Sequence, residues 1–181
     1  DAVAQAERLV LPGVGAFGAC MQEVAERGLI EPIREAAAGG APFLGVCVGM
    51  QMLFEIGEER GRHDGLGLLP GRVVRFDFAA ADEQQNGRLK IPHMGWNTIS
   101  PTRSHPLLAN IGREAFFYFV HSYHVVCDAP GDILATTEYG YEFPSIVHRN
   151  NVMGVQFHPE KSQNNGLTLL RNFARLPVTA A

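Results

Sequence analysis

Residues 41–51 read Ala41-Pro42-Phe43-Leu44-Gly45-Val46-Cys47-Val48-Gly49-Met50-Gln51, and the fold turns on them. An apolar run ends in a Gly-x-Cys-x-Gly pentapeptide and gives way to an amphipathic segment, expected as a helix over 49–58. A nucleophile on a tight strand-to-helix turn needs small neighbours, because the backbone there is cramped. The N-terminus of the helix behind it favours a thiolate and offers N–H groups to a developing oxyanion. Upstream the rhythm is that of an α/β protein. Residues 8–11 predict a short buried strand closed by Pro12-Gly13. Residues 16–28 have helical spacing, with Phe17, Cys20, Met21 and Val24 on one face. A second helix over 29–38 tolerates Pro32 in its first turn and stops at Gly39-Gly40. Strands alternating with helices predict parallel pairing in a doubly wound sheet.

Downstream the character changes. Residues 60–67 and 79–87 predict polar loops, and strands are expected over 72–78, 91–100, 116–126, 133–139, 145–147 and 152–157. Turns as short as Asn150-Asn151 imply that some of these strands are antiparallel. A closing helix over 165–176 would turn Leu167, Leu170 and Phe173 inward. With no repeat or linker, residues 1–181 are expected to form a single domain.

The stretch Gly154-Val155-Gln156-Phe157-His158-Pro159-Glu160 supplies a partner for Cys47. Pro159 holds His158 extended at a strand end, and Glu160 can bond the far ring nitrogen and fix its tautomer. Cys47, His158 and Glu160 together read as a nucleophile, base and orienter. The plainer alternatives are a buried apolar cysteine and a surface pair between Glu160 and Lys161.

Gly13-Val14-Gly15-Ala16-Phe17-Gly18 formally matches a dinucleotide fingerprint, but the acidic residue that should follow is missing. No cofactor is expected, and this strand is better placed to offer an oxyanion N–H. His121, His124, Cys127 and His148 invite a metal reading, which fails on spacing and on the opposite strand faces expected for His121 and His124. Trp96, within Lys90–Asn97, is weighed equally as core and as an exposed anchor for another protein.

A hydrophobic fraction of 46% and a charged fraction of 19% suit a globular chain, and a net charge of −4 without a basic block argues against nucleic acid or anionic membrane as main partner. No apolar run approaches the ~20 residues of a membrane span. Three cysteines, Cys20, Cys47 and Cys127, predict a reduced, cytoplasmic protein.

These motifs resemble those of the class I (triad-type) glutamine amidotransferases, over essentially the whole chain. The runs 45–51 (GVCVGMQ) and 156–160 (QFHPE) mark the class. The runs 12–18 (PGVGAFG) and 92–97 (PHMGWN), with His121-Ser122-Tyr123, mark the branch serving histidine biosynthesis. The resemblance implies a flavodoxin-like, mixed but mostly parallel sheet flanked by helices, with an antiparallel extension. It implies that Cys47 attacks the side-chain amide of glutamine, that His158 shuttles the proton, and that Glu160 orients His158. Val48, with Val14 or Gly15, would hold the oxyanion, while Gln51, Glu59, Ser122 and Tyr123 would grip glutamine. Ammonia would pass to a (β/α)8 cyclase subunit in a heterodimer, with His93, Met94, Trp96, Asn97 and Lys161 on the partner-facing side. Neither cofactor nor metal is implied.

Members of this class begin with a strand, a helix and a second strand before the motif at Leu9. That segment is absent here, and its first strand is expected beside the nucleophile strand, so the chain alone is expected to be unstable. Other readings are a Cys-His-Glu peptidase, the glutaminase of a different class I amidotransferase, and a non-catalytic binding subunit.

Overall fold

The computed structural model describes residues 2–3, 5–78 and 89–178; the polar loop expected over 79–87 lies outside them. The first half follows the expected rhythm. Strand Leu9–Gly13 leads to helix Phe17–Glu26, which buries Phe17, Met21 and Val24. Helix Ile30–Ala38 buries Ile33, Ala36 and Ala37, and Gly40 (φ +83°) turns the chain into strand Phe43–Cys47. Asn151 ties that turn down, its Nδ2 donating to the carbonyls of Ala37 (2.7 Å) and Ala41 (2.8 Å).

The main sheet has six strands and is mixed. Phe43–Cys47 pairs in parallel with Leu9–Gly13 on one side and Val152–Val155 on the other. From Val152–Val155 outward, Glu142–Arg149, Ile133–Glu138 and Ser100–Pro101 follow in antiparallel array. The parallel part is thus confined to the nucleophile strand and its two neighbours. All five residues of Phe43–Cys47 are buried. Leu9–Gly13, expected to be buried, is half-exposed because it forms the outer edge among the described strands. The nucleophile strand, expected to lack a neighbour, is paired on both sides, and Val10 on Leu9–Gly13 is half-exposed.

Two smaller sheets stand beside this one. The first runs His63–Asp64, Phe54–Gly57, Leu69–Arg75, Tyr123–Cys127. It corrects the helix expected over 49–58: the helix covers only Val48–Gln51, and Phe54–Gly57 is a strand. Met50, Leu53 and Phe54 have helical spacing, but Phe54 and Gly57 are claimed by pairing with Leu69 and Val73. Gly57 also lies flat against the Phe17 ring, where no Cβ fits. His63–Asp64, expected in a loop, edges the same sheet. The second small sheet pairs His93–Thr98 with Phe116–His121. The single strand expected over 116–126 is broken at Ser122, and its two halves enter different sheets.

Closing helix Gln163–Ala174 buries Gly166, Leu169 and Phe173, while Leu167, expected inward, is exposed. Gly166 sets the phase: its backbone rests on the Pro159 carbonyl, a contact that a side chain would block.

Candidate functional site

The turn after Phe43–Cys47 is packed backbone against backbone. A Cβ on Gly13 would lie 2.6 Å from the Gly49 nitrogen, and one on Gly45 2.6 Å from the Gly49 oxygen. A Cβ on Gly49 would strike the Leu11 carbonyl oxygen. Three glycines thus let the short helix sit directly on the ends of two strands. Cys47 itself has φ +55° and ψ −114°, a left-handed conformation that costs a non-glycine residue about 1–3 kcal/mol. The surrounding contacts impose it and aim the thiol into a cleft.

That cleft has a volume of about 370 Å³, suited to an amino acid. Cys47 and His158 both line it, as do Val14, Gly15 and Val48 at one end and Gln51, Glu59, Ser122 and Tyr123 around the remainder. The fold therefore gathers every catalytic, oxyanion and glutamine-gripping candidate into one place, Glu160 standing behind His158. Glu160 Oε1 lies 2.7 Å from His158 Nδ1, which leaves Nε2 as the nitrogen free to exchange a proton. The His158 backbone is anchored twice to Tyr118: its N–H donates to the Tyr118 carbonyl at 2.9 Å, and Ser162 Oγ bridges the His158 carbonyl (2.7 Å) and the Tyr118 N–H (2.9 Å). Ser162 had no sequence signal, because its role depends on a strand 44 residues away.

Burial pushes the Cys47 thiol up to about 11, and the Val48 backbone N–H opposes this only in part. At neutral pH the resting residue is a thiol, so an attack by it would require a base, and His158 lines the same cleft. Gln156, fully buried, points Nε2 at Cys47 Sγ from 3.9 Å.

Several expectations are refined. Glu59 lines the cleft, but its Oε2 also accepts the Phe17 N–H at 2.8 Å at the start of a helix. Cys20, read as structural, lies against the oxyanion strand, its thiol donating to the Val14 carbonyl at 3.5 Å. Gly18 packs under the His63 ring, a steric reason for the third glycine of the fingerprint-like run. His121 and His124 do not diverge: the break at Ser122 brings both rings onto Phe76, at centroid distances of 5.2 and 4.8 Å. Among the described residues, no group of three or more His, Cys, Asp or Glu is placed to hold a metal.

The rim of the cleft continues into the sheet His93–Thr98 with Phe116–His121. Its inner face buries His93, Phe117, Phe119 and His121. Its outer face carries Met94 (62% exposed), Trp96 (46%) and Phe116 (52%), with Tyr118 and Val120 between them. A lone two-stranded sheet usually turns polar residues to water, whereas this one turns apolar side chains outward. Lys161 lines the cleft and stands 6.0 Å over the Tyr118 ring, joining this face to the cleft. Asn97 is half-buried on the same strand. His93, expected on the partner-facing side, is buried behind it. Phe116, Tyr118 and Val120 were legible as alternate positions of an unbroken apolar run, but the sequence does not say which alternate set faces out.

The fold agrees with known proteins. The model of the family described as glutamine amidotransferase class-I matches residues 2–176. The chain belongs to this family. Among curated relatives, the imidazole glycerol phosphate synthase subunit HisH of Salinibacter ruber is 60% identical over 178 residues, 98% of this chain and 81% of that one. The HisH subunit of Sulfurimonas denitrificans is 53% identical, over 93% of this chain and 79% of its own. Among solved structures, PurLQS from Thermotoga maritima aligns with a TM-score of 0.65 at 18% identity, covering 92% of this chain and 78% of that one. The glutaminase domain of Trypanosoma brucei CTPS aligns with a TM-score of 0.59 at 15% identity, over 99% and 75%. These two likenesses concern the fold.

Proposed function

We propose that the chain is the glutaminase subunit of an imidazole glycerol phosphate synthase, hydrolysing glutamine and passing the ammonia to a cyclase subunit in histidine biosynthesis. The observation that carries this reading is the cleft in which a strained, buried cysteine meets a histidine bonded to a carboxylate at 2.7 Å.

Cys47 Sγ attacks the carboxamide carbon of glutamine as His158 Nε2 takes the thiol proton. The oxyanion is held by the Val48 N–H and by an N–H of the Val14–Gly15 strand, where Gly15 (φ +105°) leaves the peptide free to orient. Collapse of the tetrahedral species breaks the C–N bond, and the proton on His158 leaves with the nitrogen as ammonia. Water, deprotonated by His158, then cleaves the thioester to give glutamate and regenerate the thiol. Glu160 keeps His158 in the required tautomer throughout. Gln51, Glu59, Ser122 and Tyr123 hold the amino acid.

The partner is a (β/α)8 cyclase, and the heterodimer forms on Met94, Trp96, Phe116 and Lys161. The exposed apolar face next to the cleft supports this. Residues 1–181 act as one cytoplasmic domain without a cofactor, and no described helix is long and apolar enough to cross a membrane. The test is glutamate release from glutamine, with and without a cyclase partner carrying its ribonucleotide ligand. Partner-dependent release that disappears in Cys47→Ala is expected; release that survives Cys47→Ala overturns the nucleophile assignment.

A further inference from the structure

A single file of hydrogen bonds runs from the outer sheet to the nucleophile, and the proton on each link can be assigned. The Tyr123 carbonyl oxygen lies 2.8 Å from His121 Nδ1. A carbonyl only accepts, so Nδ1 carries the ring proton. His121 is buried, and that burial keeps the ring neutral. Its Nε2 is therefore bare and accepts from His93 Nδ1 at 3.0 Å. His93, also buried and neutral, then has a bare Nε2, which accepts from Asn97 Nδ2 at 3.3 Å. The Asn97 amide is itself oriented, donating to the Glu138 carbonyl at 2.9 Å and accepting from the Thr98 N–H at 2.8 Å.

The file continues beyond Tyr123. Gln51 Nε2 gives one proton to the same carbonyl at 3.0 Å and the other to Gln156 Oε1 at 3.1 Å. With its oxygen engaged, Gln156 turns Nε2 toward Cys47 Sγ. Two donors fill both lone pairs of the Tyr123 oxygen, so the Ser122–Tyr123 segment is clamped from two directions where it lines the cleft. A proton added to His121 would set two donors face to face between His93 and His121, and one added to His93 would set its Nε2 against the Asn97 Nδ2 donor.

We infer that His93, His121 and Gln156 are positioning residues for the glutaminase reaction: the histidines fix the Ser122–Tyr123 segment that meets the substrate, and Gln156 orients the Cys47 sulfur and favours its thiolate. This rests on the glutaminase reading above. His93 and Gln156 stand behind the lining of the cleft, and His121 forms part of its wall. An N–H aimed at sulfur strengthens as His158 removes the proton, because a bond to a charged acceptor is about twice as strong as a neutral one.

The test exploits shape against hydrogen bonding. Asn in place of His93 keeps an N–H near the Nδ1 position but loses volume; Leu keeps most of the volume but no donor. In the full chain bound to its cyclase partner, His93→Leu is expected to raise KM for glutamine roughly tenfold with a smaller change in kcat, and His93→Asn to stay within roughly threefold of the parent. If His93→Leu is benign and His93→Asn is the damaged variant, the role is packing and the inference is wrong. A second arm needs no glutaminase activity: alkylation of Cys47 by iodoacetamide in the free chain, followed by mass spectrometry across pH. Gln156→Met, which preserves volume, is expected to slow alkylation at pH 8 roughly threefold by raising the thiol's titration midpoint. An unchanged midpoint removes Gln156 from the proposal. Parent protein that alkylates normally yet releases no glutamate with its partner would sink the glutaminase reading and leave the Gln156 result standing separately.

Discussion

The turn that carries Cys47 and the sheet that carries Trp96 border the same cleft but are built on opposite rules. The turn is backbone on backbone: Gly13, Gly45 and Gly49 leave no room for a methyl group, and Cys47 is held in a left-handed conformation. The sheet is side chain on side chain, with rings and imidazoles inside and Met94, Trp96 and Phe116 open to solvent outside. The first tolerates no change and needs no partner to be complete. The second has a finished inner face and an unfinished outer one. On the proposed function, chemistry resides in the rigid element and recognition in the adaptable one.

The sharpest way to break this contrast is Gly49→Ala. Its methyl group would enter the Leu11 carbonyl, so a loss of more than ~4 kcal/mol is expected, seen as an insoluble or unfolded product in a thermal melt. A variant that melts within a few degrees of the parent would show that the turn is looser than its geometry. Trp96→Ala sits on the other side of the comparison. It should cost about 2 kcal/mol of partner affinity, measured by calorimetric titration with the cyclase, and barely move the melting temperature of the free chain.

Acidification probes the inner face of the sheet. Burial lowers the folded-state pKa of His93 to about 4 and of His121 to about 3, below the ordinary 6.5. Both rings therefore stabilise the fold fully above pH 6.5, and that contribution is lost as pH falls through 4 and 3. By pH 5 the loss should be roughly 1–2 kcal/mol per ring, because the unfolded chain takes up protons that the folded one refuses. Melting temperatures at pH 7.5 and 5 read it together with the share of the lowered His105, His124 and His148, and His93→Asn should remove only the His93 part of the difference. The smallest effect belongs to Leu167→Gln, expected within ~0.5 kcal/mol because the side chain is exposed. A large loss there would restore the inward face the sequence suggested.

The two regions also differ in how legible they were. Glycines around a cysteine after an apolar run, and His-Pro-Glu after another, are local patterns whose physics is complete within five residues. Both triad halves, the first strands and the first two helices could be read for that reason. The strand Phe54–Gly57 was not legible, since its residues have helical spacing and become a strand only by pairing with Leu69–Arg75. The break at Ser122 was hidden likewise, because each half is a good strand and only their separate partners part them. His93 and His121 are 28 residues apart, and nothing near either announces the other. The inward face of the last helix was misjudged because Gly166, which carries no side chain, decides it.

The buried thiol has a consequence of another kind. Burial pushes the Cys47 thiol up to about 11, so very little of it is ionised at neutral pH when the cleft is at rest. Peroxides and stray electrophiles react with the thiolate, so an idle molecule is almost inert to the damage that inactivates cysteine enzymes. Vulnerability would arise only in the moments when His158 holds the proton. If the proposed reaction runs through this thiol, wear on the population would follow the number of turnovers rather than the age of the protein.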